Sequence, residues 1–253
     1  MLIDTHAHIQ FDTYDESRDA VVERALETGV QYIICPGIDL DSSERAIELA
    51  DRYEPVYAAA GIHPHDSEDL PVNWLQQIEE MSKHPKVVAL GEMGLDYFKE
   101  YSPRESQKAI FRSQMELACD LGMPIIVHNR DSDDDMRKLI TRYGPGSGVL
   151  HCFVSDIAMA TEMVNLGYLI SFTGIATFGN ATVENTISEL SLQHMMVETD
   201  APFLTPEPHR GKTNEPAYVT HVADRIAKLK SLPVEKVRRT TGENACQLFS
   251  LPS

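Results

Sequence analysis

The chain has 253 residues, 42% hydrophobic and 24% charged, and its formal net charge is −17 with the ten histidines neutral. That apolar content excludes wholesale disorder, no apolar run approaches the ~20 residues of a membrane helix, and the acidic balance opposes broad binding to a polyanion while allowing a local cationic or metal-bearing cleft. Cys35, Cys119, Cys152 and Cys246 form no C-x-x-C pair and Met1-Leu2-Ile3-Asp4 has no basic flank or apolar stretch, so neither a disulfide framework nor a secretory signal is expected, and the setting is cytoplasmic.

No repeat or Gly/Ser linker divides the chain, so one domain over 1–253 is expected. Short β-branched runs alternate with longer stretches of helical period. The runs place strands near 2–8, 32–36, 56–62, 87–92, 125–128, 149–152, 169–172 and 195–199. Helices are expected at 17–27, 41–52, 72–83, 102–122, 133–142, 157–166, 183–190, 217–230 and 234–248. The fourth of these has a sharp start: Ser102 and Glu105 form an S-x-x-E capping box around Pro103. Phe111, Met115 and Ala118 then share one face, and Gly122 closes the segment. Eight strands with intervening helices over this length predict an α/β fold, a single (β/α)8 TIM barrel. A doubly wound open sheet is the rival architecture.

His6 and His8 lie two apart on the first run, where strand alternation puts both on one side. An H-x-H pair by itself is as consistent with a core histidine as with a metal site. Further polar residues stand at or near the ends of other apolar runs: Glu92 on the fourth, His128 on the fifth, His151 on the sixth and Asp200 after the eighth. Unpartnered burial there is costly, and in a barrel those ends converge on one mouth. Four imidazoles and two carboxylates suit Zn²⁺, Mn²⁺ or Co²⁺ better than a Ca²⁺ or Mg²⁺-only cage. A pair of ions ~3.5–4 Å apart, bridged by Glu92 and a water, is one arrangement of such donors.

The order H-x-H, carboxylate, His, His, Asp resembles the amidohydrolase superfamily, and the local text resembles the TatD family of metal-dependent deoxyribonucleases. The likeness runs through Ile3-Asp4-Thr5-His6-Ala7-His8, Gly61-Ile62-His63-Pro64-His65, Gly91-Glu92-Met93-Gly94-Leu95-Asp96-Tyr97, Ile126-Val127-His128 and His151-Cys152-Phe153. It continues through Ser171-Phe172-Thr173-Gly174, Glu198-Thr199-Asp200-Ala201-Pro202-Phe203-Leu204 and Arg210-Gly211-Lys212-Thr213-Asn214-Glu215-Pro216 to Asn244-Ala245 and Leu248-Phe249. One departure stands out: family members usually read H-C-F-S-G where this chain has His151-Cys152-Phe153-Val154-Ser155, which removes a hydroxyl that could touch substrate.

The resemblance implies one or two divalent ions per chain (Zn, Mn, Co, Mg or Ni) and 3'-5' exonuclease-type phosphodiester hydrolysis by a metal-activated water. It implies His6, His8 and Asp200 as ligands of one ion, His128 and His151 as ligands of the other, and Glu92 as bridge, with Asp200 as general base. His63 is a catalytic candidate, and His63, His65, Arg210 and Lys212 are expected to contact substrate. The alternative for Arg210 is an ion pair with Glu207 or Glu215. Arg130 is a weaker phosphate candidate, Asp96 either orients a loop or a ligand imidazole or touches substrate, and Cys152 is read as packing. The expected partner is a DNA end or a short single-stranded oligonucleotide, with no membrane and no obligate protein partner. Competing readings are a superfamily lactonase or deacylase acting on a C–O or C–N bond, a histidinol-phosphatase-like phosphoesterase lacking its usual D-x-H ending, and a scaffold with a relic site.

Overall fold

The computed structural model describes residues 1–252. In chain order its elements are β1 (Leu2–Asp4), α1 (Arg18–Glu27), β2 (Val30–Pro36), α2 (Leu40–Arg52), β3 (Val56–Ala60), α3 (Trp74–Met81), β4 (Val87–Asp96), α4 (Arg104–Leu121), β5 (Ile125–Arg130), α5 (Asp133–Tyr143), β6 (Gly148–Leu150), α6 (Ile157–Asn165), β7 (Tyr168–Phe172), α7 (Ala181–Glu189), β8 (Met195–Val197), α8 (Val219–Lys230) and α9 (Val234–Phe249). The eight strands form one sheet in sequence order and pair in parallel, as Ile126 does with Val149 and Ile170 with Met195. Parallel neighbours need a crossover, and the helices supply it, which makes this the (β/α)8 barrel fold. Among the described residues, no helix is long and apolar enough to cross a membrane.

Two compact units make up the chain. The first comprises Met1–Cys35, Cys152–Asn165 and the residues from Leu169 onward. Its core includes Ile3, Ile33, Ile34, Ile170, Phe172 and Met195, each at most 1% exposed. Helix α9 is fastened to the strand side through Asn244, whose amide donates to the carbonyls of Leu192 (3.0 Å) and Met195 (2.8 Å). The second unit is Pro36–His151 with Leu166–Tyr168. Its strands read as continuous apolar runs because both faces are covered: Ile125, Ile126 and Val127 are fully buried. Two buried glutamines of α4 hold the strand ends by paired bonds. Gln114 receives from the Ile62 amide (2.8 Å) and donates to its carbonyl (3.0 Å), and Gln107 does the same for Asp96 (2.9 and 3.0 Å).

Several boundaries differ from the sequence expectation, each for a local reason. β1 stops at Asp4 rather than His8, because the amides beyond it alternate between two neighbours: Thr5 donates to Val197 (3.2 Å) and Ala7 to Ile34 (3.0 Å). β4 runs on to Asp96, so Glu92 lies inside the strand and not at its end. The register against β5 slips between Leu90 and Met93, a bulge that re-aims the Glu92 side chain. The capping box at Ser102 does not form. Helix α4 begins at Arg104 after Pro103, and the Ser102 hydroxyl donates to the His65 carbonyl instead (2.7 Å). A reciprocal box does open α2, between Asp39 and Ser42. Gly122 closes α4 in the left-handed region as expected (φ 65°).

Gly94, between Glu92 and Asp96, has φ +149°, and a Cβ built there would lie 1.9 Å from the His128 carbonyl oxygen on β5. Both the dihedral and the contact with backbone demand glycine. Gly94→Ala should lower unfolding free energy by about 2 kcal/mol or more, checked by urea titration followed by circular dichroism.

Candidate metal centre

The first unit brings His6, His8 and Asp200 together. His6 and His8 are buried, their Nε2 atoms lie 3.1 Å apart, and Asp200 Oδ1 is 3.7 Å from each. Backbone bonds fix the three residues: the Asp200 amide donates to the His6 carbonyl (2.9 Å) and the His8 amide to the Ala201 carbonyl (2.8 Å). Asp200 sits in the left-handed region (φ 56°), which aspartate tolerates better than most residues, and the Phe203 amide closes the turn on its carbonyl (2.8 Å). Asn214, from the Arg210–Pro216 stretch, is fully buried and donates to the carbonyls of Thr199 (2.9 Å) and Phe203 (2.5 Å), clamping the same turn. Beneath it, Asp4 accepts from the Thr199 amide (2.9 Å) and hydroxyl (2.6 Å). Burial nevertheless pushes the Asp4 carboxyl well above the usual range.

The second unit supplies another donor triangle. Glu92 Oε1 lies 2.9 Å from His128 Nδ1 and 2.8 Å from His151 Nε2, and those two nitrogens are 3.2 Å apart. Asp96 stands behind, 1% exposed, with Oδ2 3.2 Å from His128 Nε2 and 3.1 Å from His65 Nε2. Burial alone would raise Asp96, but the hydrogen bonds from His128 and the Lys99 amide outweigh it and hold the carboxyl below the usual carboxylate range. Burial likewise opposes charge on His128, yet Asp96 and Glu92 raise its pKa on balance. The ionised Asp96 keeps the His128 proton on Nε2 and leaves Nδ1 directed at Glu92 and His151, which is the arrangement of an oriented metal-ligand histidine.

Three donors within 2.8–3.7 Å of one another in each set match the ~3.3 Å spacing of ligands around a tetrahedral ion with bonds of ~2.0–2.1 Å. The donor chemistry, imidazole with carboxylate and no thiolate, fits the borderline divalent ions expected from the sequence.

His63 adjoins the second set, with Nε2 3.6 Å from Glu92 Oε1. Its Nδ1 accepts from the His65 amide (3.1 Å), which places the ring proton on Nε2. Burial holds its pKa well below the usual histidine range. With its proton on Nε2, His63 is set to donate a hydrogen bond beside Glu92, and its ring also lies within reach of an ion shared with Glu92 and His128. His65 is committed to Asp96 through Nε2, and burial lowers its pKa as well.

The remaining sequence candidates find other partners. The Arg210 guanidinium stacks on Phe178, 3.7 Å from the ring centroid. Glu215, one of the carboxylates expected for it, takes Arg24 at 2.6 Å. Lys212 is exposed, and its carbonyl accepts from the Thr205 hydroxyl (2.6 Å). Arg130 lies over Phe98 (3.9 Å). Cys152 is only half-buried, with φ 46° and its amide on Glu198 Oε1 (2.6 Å), so a turn and not strand alternation orients it. Sequence reading missed Phe11, which stacks on His8 with ring centroids 4.7 Å apart, and the exposed Phe203 beyond it (6.3 Å). Their spacing carries no motif, since the contact is made only when distant loops fold.

Fold and donor sets together define a metal-dependent hydrolase. Residues 3–250 match the family model described as TatD related DNase, and the chain belongs to the TatD family. It is 42% identical over 99% of its length to the whole of "uncharacterized metal-dependent hydrolase YabD" of Bacillus subtilis (strain 168), and 33% identical over 99% to 98% of "uncharacterized metal-dependent hydrolase TatD" of Mycobacterium tuberculosis (strain ATCC 25618 / H37Rv). The crystal structure of the TatD homologue YjjV of Escherichia coli K12 superposes with a TM-score of 0.94 at 32% identity, covering 99% of this chain and 98% of that one.

Two outcomes follow for the metal. Replacing His6 and His8 together by alanine should reduce bound divalent ion, measured by elemental analysis, while circular dichroism stays near wild type. Asp96→Asn retains the shape of the side chain but loses the charge that orients His128, so metal affinity should fall by roughly 10–100-fold, read by competition with a chromogenic chelator.

Proposed function

We propose that the protein hydrolyses phosphodiesters of DNA, as a deoxyribonuclease of the 3'-5' exonuclease type. The observation that carries this reading is the pair of buried imidazole-carboxylate donor sets, each flanked by groups suited to moving a proton or donating a hydrogen bond. The description of the matching family as TatD related DNase supports the choice of substrate. Divalent ions held by His6, His8 and Asp200 and by Glu92, His128 and His151 would supply an acidified water and polarise a phosphoryl oxygen.

The chain's own groups do the rest. Asp200 accepts the proton of the attacking water at its carboxylate, and Asp96 holds His128 in the tautomer that presents Nδ1. His63, neutral with its proton on Nε2, donates to a phosphate or leaving oxygen. Arg210 and Lys212 contact the phosphate backbone, with the planar guanidinium held in position on the Phe178 ring. His65 acts on substrate only through its hold on the loop beside Asp96. A net charge of −17 disfavours a long duplex, whose binding is dominated by phosphate neutralisation, and favours a short single-stranded end.

The reading is tested by metal-free protein reconstituted separately with each divalent ion and assayed on labelled single-stranded oligonucleotides beside a panel of lactones. Phosphodiester turnover is expected. Lactone turnover without it would replace the proposal with a C–O hydrolase. Asp200→Asn keeps one oxygen for a metal but cannot take the proton, so turnover should fall by roughly 10²–10⁴ while elemental analysis shows most of the metal retained. Near-normal turnover with a full complement of metal would remove the general-base role.

A further inference from the structure

The loop between β4 and α4 displays aromatic rings that the core does not use. Phe98 is 54% exposed and Tyr101 68% exposed, although the loop leaves directly from Asp96, itself 1% exposed. Its shape is fixed from below. Asp96 Oδ1 accepts from the amides of Phe98 and Lys99, both at 3.0 Å. Ser102 is tied by its hydroxyl to the His65 carbonyl (2.7 Å) and by its carbonyl to the Gln107 amide group (2.9 Å). The rings are therefore presented at little further cost in conformational entropy.

Positive charge gathers on the same loop of this acidic chain. The Arg130 guanidinium lies 3.9 Å from the Phe98 centroid and Lys99 Nζ 5.5 Å from it. The nearby Glu100 carboxylate is engaged by Arg104. A file of rings also leads inward: Tyr101 meets His65 edge-on at 4.7 Å, His65 meets His63 at 4.4 Å, and His63 meets His128 at 4.6 Å. An exposed phenyl flanked by two cations, beside an exposed tyrosine from which edge-on rings lead to a metal-donor set, has the chemistry of a single-strand binding surface, where bases stack and phosphates meet Arg or Lys.

We propose that Phe98 and Tyr101 form a stacking platform for unpaired nucleobases, with Arg130 and Lys99 holding the adjoining phosphates, so that the β4–α4 loop selects single-stranded over paired substrate. This rests on the nuclease reading and adds Phe98, Lys99 and Tyr101 to the Arg130 that the sequence already offered as a phosphate candidate. Bases in a duplex have their faces covered by neighbours and cannot stack on protein rings, whereas a frayed or single-stranded end offers them.

The experiment measures binding apart from cleavage. Fluorescence anisotropy on the metal-reconstituted enzyme compares a labelled, phosphorothioate-linked thymidine hexamer with an abasic strand of the same length and charge. Wild type should bind the base-bearing strand roughly 5- to 150-fold more tightly. In the Phe98→Ala, Tyr101→Ala double variant that ratio should fall to within about twofold, and Phe98→Trp with Tyr101→Phe should restore it. Equal affinity of wild type for the two strands, no binding of either, or a ratio that survives the double alanine change would overturn the platform. Circular dichroism and bound metal report whether the double variant folds; if it does not, the single variants carry the same comparison. Turnover of the unmodified hexamer is scored separately, so failure of the nuclease reading appears as absent cleavage and failure of the platform as an unchanged binding ratio.

Discussion

Burying ionisable groups dominates this molecule. His6, His8, His151, Glu92, Asp96, Asp4 and Glu198 are all less than 5% exposed, and none is tolerated in a protein interior without partners or a cation. The chain answers by assembling them in tiers. Within each donor set imidazoles and carboxylates face one another, and a further row of groups holds the donors in place. Asp4 takes both polar groups of Thr199, Glu198 takes the Cys152 amide, and Asp96 takes His128 and His65. Removing one partner strands another charge, so the site and the strand ends that carry it are stable together.

The backbone around those donors is correspondingly irregular. A slipped register re-aims Glu92, the left-handed conformation of Asp200 turns its carboxylate toward His6 and His8, and Gly94 lets the backbone of β4 approach the His128 carbonyl. Regular strands alternate side chains between two faces and cannot direct neighbouring donors at one point. The departures from regularity fall where that geometry has to be broken, and the buried amides of Gln107, Gln114 and Asn214 satisfy the backbone groups that the ladders leave behind.

Charge is distributed to match. The strongly acidic chain carries much of its positive charge in surface pairs such as Lys83 with Glu80 and Arg137 with Asp134, which contribute little to stability. Arg130 and Arg210, like Arg104 and Arg112, lie against aromatic rings. A guanidinium on a ring keeps its donor edge available for an oxyanion, which suits the proposed phosphate contacts. A (β/α)8 barrel hosts many reactions by varying its loops, and here the loops after β4 and β8 carry the rings and cations that distinguish this chain's proposed substrate.

All eight strands were legible in the sequence, because burial on both faces demands continuous apolar runs, and so were the six metal-donor candidates, since a histidine or carboxylate closing such a run has no inexpensive reason to be there. Order along the chain was enough to recognise the family. Tertiary structure alone decided the rest. That the His63 ring takes a bond at Nδ1 and turns Nε2 toward Glu92 depends on the His65 amide. That Asp96 meets His128, that Ser102 caps no helix, and that Arg210 lies on Phe178 while Glu215 takes Arg24 are outcomes of competition between partners 32 or more residues apart in every case. Periodicity reports which residues must be buried, because burial acts on each side chain separately. Pairing depends on two positions at once, and only the folded chain brings those positions within the reach of a hydrogen bond.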